Sequence, residues 1–234
     1  MSGQGDRLLE EYCREVLRWN RQINLISRQD SSVRLDGLVR QCQAAWSRLI
    51  DDDPAGLASA RCLWYFDLGS GAGLPGFVWH VAARLAGLPA QTCLVEPREK
   101  RAWFLDRLNR IEGAAPLAAV PGRWGEGQAG DSVPDPFPSH ILISLKALHL
   151  TDAEVLEGLA AQTPVVAGCE IIIARFYPPD QGWGEELAAE LGIPVRGEEV
   201  AHGRRRYLAT GGRVLAPGLP DGASLVLSLY RTPE

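Results

Sequence analysis

A glycine-rich loop limits the possible folds of this chain more than any other part of its sequence. The loop reads Asp67-Leu68-Gly69-Ser70-Gly71-Ala72-Gly73-Leu74-Pro75-Gly76, and it follows a short apolar run at 62–66 that has the pattern of a buried strand. A helical pattern begins at Pro75. Glycine permits sharp turns and lets a ligand approach the main chain, and open α/β sheets bind ligands at the carboxyl ends of their strands. The segment therefore predicts a strand, a loop and a helix arranged around a ligand.

An acidic residue after the second strand-like run extends this prediction. Glu96 follows Thr92-Cys93-Leu94-Val95, and a carboxylate in this position can accept hydrogen bonds from both hydroxyls of a ribose. The loop and the acid together indicate a site for an adenosine-containing cofactor. The alternative is a glycine-rich turn that is purely structural and binds nothing.

Two kinds of cofactor fit the glycine spacing. Gly71, Gly73 and Gly76 satisfy G-x-G-x-x-G, which with an acidic residue about 20 positions later is the dinucleotide fingerprint. Gly69 precedes this triplet, however, and the pattern Asp-x-Gly-x-Gly-x-Gly resembles the first motif of class I S-adenosylmethionine methyltransferases. A pyrophosphate needs a bare helix N-terminus, and S-adenosyl-L-methionine has no phosphate to place there. We therefore predict S-adenosyl-L-methionine, and a nicotinamide or flavin dinucleotide remains the alternative.

Composition indicates a globular protein with a substantial core, because 46% of the 234 residues are apolar. No apolar run approaches the roughly 18 to 20 residues that span a bilayer, and the N-terminal residues lack a signal-peptide pattern. The five cysteines are widely spaced and the four histidines lack ligand spacing, so we expect free thiols and no metal site. We expect a cytoplasmic monomer without membrane contact.

Basic residues are unevenly distributed along the chain. The net charge of −5 argues against indiscriminate coating of nucleic acid, but it permits RNA binding through a local basic face. The candidates for such a face fall into three groups: Arg14, Arg18, Arg21 and Arg28; Arg98, Lys100, Arg101, Arg107 and Arg110; and Arg204, Arg205 and Arg206. Each group taken alone is more typical of a solvated helix or loop surface than of an RNA contact.

Apolar spacing separates a helical N-terminal part from an alternating remainder. Residues 1–50 show helical spacing, which Asp51-Asp52-Asp53-Pro54 interrupts. Strand-like runs then lie near 62–67, 91–96, 116–120, 139–144, 170–176, 194–200 and 224–230, and helical patterns near 75–86, 98–112, 152–161 and 184–191. This order predicts an α/β fold with a mainly parallel, seven-stranded sheet and helices on both faces. The expected domains are a helical extension, 1–55, and an α/β domain, 56–234, with a loop at 121–138 and a hairpin or loop at 202–223.

Three groups of residues, in order along most of the chain, together resemble one family. They are Trp19-Asn20 with Ile23-Asn24-Leu25, the loop at 67–76 with its Gly-Leu-Pro-Gly ending, and Glu96 with Lys100-Arg101 and Phe104-Leu105. The chain resembles the bacterial small-subunit (16S) rRNA guanine-N7 methyltransferases, also called RsmG or glucose-inhibited division protein B. The resemblance implies a class I (Rossmann-like) methyltransferase fold, S-adenosyl-L-methionine as cofactor, and ribosomal RNA or the small ribosomal subunit as partner.

The resemblance also implies a cofactor site. Gly69, Gly71, Gly73 and Leu74, with Ser70 between them, would lie against the methionine part, and Glu96 would hold the ribose. Asp67 would lie near the cofactor amine or support the loop. Arg123 and Glu126 fall where the family carries an Arg…Glu pair beside the adenine segment. Trp124 could stack on adenine or on the substrate, or pack over the core.

The implied reaction needs no general base, because guanine N7 carries an in-plane lone pair and no proton. Catalysis then rests on the alignment of nucleophile, methyl group and sulfur. A cation near guanine O6 would help to hold the base, and Lys146 and Arg175 are the candidates for this role.

The sequence departs from the family pattern at three positions. Gln41 and Ala44 stand where the family has a histidine and an aspartate, and Leu145 replaces an arginine thought to matter for the reaction. Lys146 is the nearest cation, but it can substitute only if the chain has already left the sheet, since successive strand residues point to opposite faces. These departures keep two alternatives open: a methyltransferase with another RNA or small-molecule substrate, and a homologue that binds the ribosome or the cofactor without transferring methyl.

Overall fold

The sheet is preceded by two long helices, α1 (Gly3–Asn20) and α2 (Ser31–Asp52), and by a 3-10 turn, Pro54–Ser59. The computed structural model describes residues 3–114, 116–126, 137–162, 167–177, 189, 193, 196–202, 205–215, 219–220 and 223–233. Its strands are β1 (Leu63–Leu68), β2 (Ala90–Glu96), β3 (Ala118–Pro121), β4 (His140–Lys146), β5 (Glu170–Tyr177), β6 (Glu199–His202), β7 (Arg205–Leu215) and β8 (Ser224–Arg231). The remaining helices are α3 (Gly76–Leu85), α4 (Glu99–Arg107), which a 3-10 turn (Leu108–Arg110) continues, and α5 (Asp152–Gln162).

The described strands form one sheet in the order β3-β2-β1-β4-β5-β8-β7-β6. β1 to β5 are parallel to their neighbours among these five, whereas β8, β7 and β6 are added in antiparallel fashion. The predicted α/β class and the mainly parallel sheet are confirmed. The predicted helix near 184–191 and the start of the strand near 194–200 lie mostly outside the described residues.

The predicted number of seven strands is wrong, because the described part of the chain holds eight. The extra strand is β7, which occupies part of the segment expected to be a hairpin or loop and pairs with both β6 and β8. Gly211 and Gly212 lie inside it, next to a register shift between Ala209 and Gly211. Glycine weakens the sequence signal of a strand and often marks such an irregularity, which explains why this strand was not predicted.

The order in which successive strands are added to the sheet reverses between β1 and β4, and this switch point positions the site. The chain moves outward from β1 to β2 and β3 on one side, and from β4 to β5 on the other. Adjacent connections that leave in opposite directions open a crevice at the carboxyl ends of the strands. The glycine-rich loop follows β1, and Glu96 ends β2, so both predicted elements lie at this crevice.

Both faces of the sheet are covered by apolar side chains. On one face, α1, α2, α3 and α4 share a core with inward residues of the strands, and on the other face α5 covers residues such as Phe66 and Ile143. The N-terminal helices belong to the first core: the Tyr12 and Phe77 rings stack at 4.9 Å, and Trp79 Nε1 donates to the Cys42 carbonyl at 2.8 Å. None of the described helices has a stretch long and apolar enough to cross a membrane.

Candidate active site

The glycine-rich loop is fixed to the ends of two strands. Gly69 and Gly71 have φ angles of 68° and 59°, in the left-handed region where only glycine is comfortable. The N–H groups of Gly69 and Ser70 donate to the Val95 carbonyl at 2.9 and 3.1 Å. From the other side, the Tyr12 hydroxyl of α1 donates to the Ala72 carbonyl at 3.0 Å. These bonds fix the loop between β1, β2 and α1.

Asp67 supports this loop from below. Its Oδ2 accepts hydrogen bonds from Ser70 Oγ at 2.5 Å and from the Gly76 N–H at 3.1 Å, and its Oδ1 accepts one from Ser144 Oγ at 2.6 Å. A Cβ at Gly76 would collide with this carboxylate and with Leu94, so glycine is required where α3 begins. Of the two roles considered for Asp67, its contacts are those of loop support.

The ionisation of Asp67 makes stability depend on pH. Burial raises the pKa of Asp67 from 3.8 to about 6, although hydrogen bonds from Ser144, Ser70 and Gly76 act in the opposite direction. Between pH 3.8 and about pH 6 the folded chain binds more protons than the unfolded chain. The free energy of unfolding therefore falls as the pH rises through this range. Asp67→Asn keeps the shape of the side chain and removes the charge, so it should remove this dependence.

We expect the free energy of unfolding of the unsubstituted chain, relative to Asp67→Asn, to fall by an amount on the order of 3 kcal/mol between about pH 4 and about pH 7. Urea unfolding of both proteins across this range measures the difference. Asp106→Asn, which changes an exposed carboxylate, is the control and should follow the unsubstituted chain. Parallel curves for the Asp67→Asn variant and the unsubstituted chain would contradict the buried, proton-binding carboxylate.

Glu96 joins the loop to the end of β2 and keeps acceptor capacity for a ligand. It is buried, its Oε2 accepts the Gly71 N–H at 2.9 Å, and its Oε1 accepts the Arg98 N–H at 3.1 Å. A carboxylate has about four lone-pair sites, so each oxygen has about one acceptor position left beyond these two bonds. The arrangement suits two neighbouring hydroxyls.

A cleft of about 800 Å³ opens in front of Glu96. Of the residues proposed for the cofactor, Gly69, Glu96, Arg123 and Trp124 line it, and Val95, Leu148 and Leu150 add apolar walls. Gly73 instead faces core side chains, with Leu105, Leu108 and Phe77 nearest to it, and Leu74 is buried. The site combines an acidic group, a main-chain loop and apolar walls, as an adenosine-containing ligand requires.

Trp124 forms part of the wall of this cleft. Its Nε1 donates to the Val155 carbonyl at 2.9 Å, and its ring meets the Phe66 ring edge-on at 5.3 Å. Gly158 of α5 leaves room for the indole, since a Cβ there would overlap it. Trp124 thus packs over the core and also forms part of the cleft wall.

Arg175, one of the two proposed cations, is buried away from the cleft surface. Its guanidinium lies 2.6 Å from Asp152 Oδ1, with both side chains at most 3% exposed, and it donates to the Leu150 carbonyl at 3.1 Å. The Tyr230 hydroxyl donates to the other Asp152 oxygen at 2.5 Å. Burial raises the pKa of Asp152, while Arg175 acts to lower it. These contacts anchor the start of α5, and Arg175 is not among the described residues that line the cleft.

Lys146, the other proposed cation, could replace residue 145 only if the chain had left the sheet before it, and the chain has not. β4 continues through Lys146, which pairs with Phe176 in β5, so the chain has not left the sheet. Leu145 points into the core beneath α5, and Lys146 points to the opposite face. There its Nζ donates to Gln41 Oε1 of α2 at 2.5 Å and lies 4.9 Å from the centre of the Phe176 ring.

Two contacts near the candidate site had no signal in the sequence. Gln41 and Lys146 are 105 positions apart, and no periodicity relates them. Ser144, which bonds both Asp67 and the Tyr65 hydroxyl, sits opposite Asp67 only because β1 and β4 pair in that register. Such contacts depend on strand register rather than on local pattern.

The reversal of strand order, the glycine loop after β1 and the acid at the end of β2 are together the features of the class I methyltransferase fold. The family described as rRNA small subunit methyltransferase G matches residues 6–133, which is more than half of the chain. The chain belongs to this family. The match includes the glycine loop, Glu96, Arg123 and Trp124, and it ends before Lys146 and Arg175.

Two curated relatives and one solved structure illustrate these similarities. A Ribosomal RNA small subunit methyltransferase G of Cereibacter sphaeroides is 36% identical over 99 residues, 42% of either chain. One of Methylobacterium nodulans is 31% identical over 108 residues, 46% of either chain, so the matches span less than half of these relatives. The crystal structure of MtNAS in complex with MTA and tNA has a TM-score of 0.53 at 12% identity, covering 97% of this chain and 71% of that one, which shows similarity of fold.

Proposed function

We propose that this protein transfers a methyl group from S-adenosyl-L-methionine to N7 of a guanine in 16S rRNA. The observation that carries the proposal is the cleft in which Gly69 and Glu96 converge, within the part of the chain that matches the family. The relatives that share this part are named as ribosomal RNA methyltransferases. A cytoplasmic monomer that acts on the small ribosomal subunit is part of the proposal.

The residues of the cleft fit the cofactor. Glu96 would accept hydrogen bonds from the ribose hydroxyls, the main chain of the Gly69 loop would face the methionine part, and Leu148 and Leu150 offer apolar surface to a purine. When bound, the cofactor supplies an electrophilic methyl group on a sulfonium. Asp67 supports the loop from beneath, and Arg123 lies at the rim.

The chemistry asks the protein for positioning rather than proton transfer. Guanine N7 presents a lone pair and needs no deprotonation, so alignment can supply a large part of the rate enhancement. Among the described residues that line the cleft there is no histidine or cysteine. The four carboxylates among these residues, Glu96, Glu126, Glu154 and Glu157, are not needed as bases for this nucleophile.

Lys146 does not line the cleft itself, but we propose that it holds guanine O6 from the α2 face of the sheet, a different place from that of residue 145. It ends β4 and immediately precedes Ala147, which lines the cleft and has a φ of 56°. Gln41 and the Phe176 ring hold its ammonium group beside the carboxyl edge of the sheet, on the α2 side. The substrate base would then enter between α2 and the glycine loop.

The first test is the transfer of a labelled methyl group to small ribosomal subunits that lack N7-methylguanosine. We expect incorporation that maps to N7 of one guanine. Intact binding of S-adenosyl-L-methionine without incorporation would favour a different substrate or a homologue that has lost the reaction. Failure to bind the cofactor at all would remove the basis of the proposal.

Lys146→Met should lower kcat/KM for the RNA by about 10- to 100-fold and leave the Kd for S-adenosyl-L-methionine unchanged, because a hydrogen bond from a charged group contributes about 1.5–3 kcal/mol. Methyl-transfer kinetics and calorimetry measure the two quantities. Lys146→Arg keeps the charge and should retain more activity, and Arg84→Met removes an exposed charge from α3 as the control. Equal activity of the Lys146→Met and Arg84→Met variants would exclude the proposed role.

A further inference from the structure

Two basic segments that are far apart in the sequence meet on the surface of the protein. Residues 14–28 and residues 98–110 together carry nine basic side chains and three acidic ones, a net charge of +6. The whole chain carries −5, so the remainder carries −11. Positive charge is therefore concentrated in these two segments, and the acids Glu10, Glu11 and Glu112 lie beside it only at the edge that holds Arg14 and Arg110.

Specific contacts join the two segments. The Trp19 ring at the end of α1 meets the Trp103 ring of α4 edge-on at 4.8 Å, and the Arg107 guanidinium lies 4.8 and 5.2 Å from the two ring centres. Arg101 of α4 donates to the Asn24 carbonyl at 2.5 Å, which holds the loop after α1 against that helix. We call the surface formed by residues 14–28 and 98–110 the α1–α4 surface.

Much of the positive charge on this surface is available to a partner. Glu15 already lies within salt-bridge distance of both Arg18 and Arg107. Exposed cations at Arg21, Arg28 and Lys100 have no acidic partner within 4 Å among the described residues. Glu99 and Asp106 are the two other acids of the segments, both exposed on α4.

Trp103 adds a flat aromatic group to this charged surface. Trp103 is 47% exposed, which is unusual for a tryptophan in a chain with a large apolar core. Exposed aromatic rings between cations are how proteins bind single-stranded nucleic acid: bases stack on the rings, and phosphates pair with the cations. An exposed indole beside cations also suits a protein interface, and the continuity of this surface with the cofactor cleft is what favours a nucleic acid.

The α1–α4 surface is continuous with the cofactor cleft. Arg98 and Arg101 belong to the surface and also line the cleft, where Arg98 donates its N–H to Glu96. Arg101 also lies close to Gly71 of the loop. A strand whose target base lies beside the glycine loop can therefore continue directly onto this surface.

We propose that the α1–α4 surface docks a single-stranded segment of the RNA substrate. Arg21, Arg28 and Lys100 bind its phosphates, and one base stacks on Trp103. The identity of the partner rests on the proposed function, in which the substrate is RNA.

Binding of a fluorescently labelled, unstructured RNA oligonucleotide tests the proposal by anisotropy over a range of salt concentrations. The triple variant Arg21→Ala/Arg28→Ala/Lys100→Ala should bind at least about 10-fold more weakly and reduce the salt slope by about 2, since each contact with a single strand contributes about 0.7. Trp103→Ala should weaken binding about 5- to 100-fold with little change in slope, because it removes stacking rather than charge.

The matched control is Arg48→Ala/Arg61→Ala/Arg84→Ala, which removes the same charge from exposed positions elsewhere. Equal losses in the two triple variants, an unchanged affinity of Trp103→Ala, or no RNA binding by the unsubstituted chain would each overturn the proposal. Methyl transfer measured in parallel separates the two hypotheses. If the protein binds RNA through this surface but transfers no methyl group, only the proposed function is overturned. If methyl transfer occurs, and the surface variants and the control variant reduce it equally, only the docking surface is overturned.

Discussion

Glu96→Ala is expected to weaken the binding of S-adenosyl-L-methionine by about 100-fold or more. Two hydrogen bonds to a carboxylate contribute about 1.5–3 kcal/mol each, and Glu96 is itself buried, so water compensates little for their loss. The change also leaves the Gly71 and Arg98 N–H groups without their acceptor, so the loop loses part of its support. Isothermal titration calorimetry measures the affinity, and circular dichroism checks that the variant folds.

Two further variants separate the ribose contact from general electrostatics. Glu157→Ala removes an exposed carboxylate from the lining of the same cleft and should leave the affinity nearly unchanged. Glu96→Gln keeps one acceptor oxygen and should show an intermediate loss. An unchanged affinity of a folded Glu96→Ala variant would place the ribose elsewhere and remove the main support for the proposed cofactor site.

Arg175→Met is expected to destabilise the protein by about 3–5 kcal/mol, because removing one partner of a buried ion pair leaves the other charge uncompensated. Asp152 is 1% exposed and would lose its guanidinium partner while Tyr230 remains. A change of this size in a chain of this length lowers Tm by roughly 10 °C. Urea unfolding and thermal melts measure it.

The pH dependence of this loss identifies its cause. Burial already raises the pKa of Asp152, and without Arg175 the pKa should rise further. A carboxyl group with a raised pKa stabilises the folded state at low pH, and this contribution is lost as the pH rises. The Arg175→Met variant should therefore lose more free energy of unfolding at neutral pH than under acidic conditions. Arg84→Met, with an exposed side chain, should show neither effect. If Arg175→Met kept normal stability but lost methyl transfer, Arg175 would instead act on the substrate.

Local sequence patterns were sufficient to predict the central part of the fold. The apolar run, the glycine loop and Pro75 predicted β1, its loop and α3 within about a residue, and the run at 170–176 became β5 with one more residue. Such elements are predictable because each depends on a few neighbouring residues with a period of two or of 3.6. β7 was not predicted, since its paired glycines interrupt that pattern.

The sequence by itself determined the glycine loop, the acid at the end of the second strand, and the family to which the chain belongs. Each of these depends on residue types at short, fixed spacing. Only the tertiary structure decided that Arg175 is buried against Asp152, that Lys146 meets Gln41, and that two distant basic segments form one surface. These contacts depend on which strands pair, in which register, and on which face each side chain falls. Long-range packing determines such relations, and no local periodicity records them.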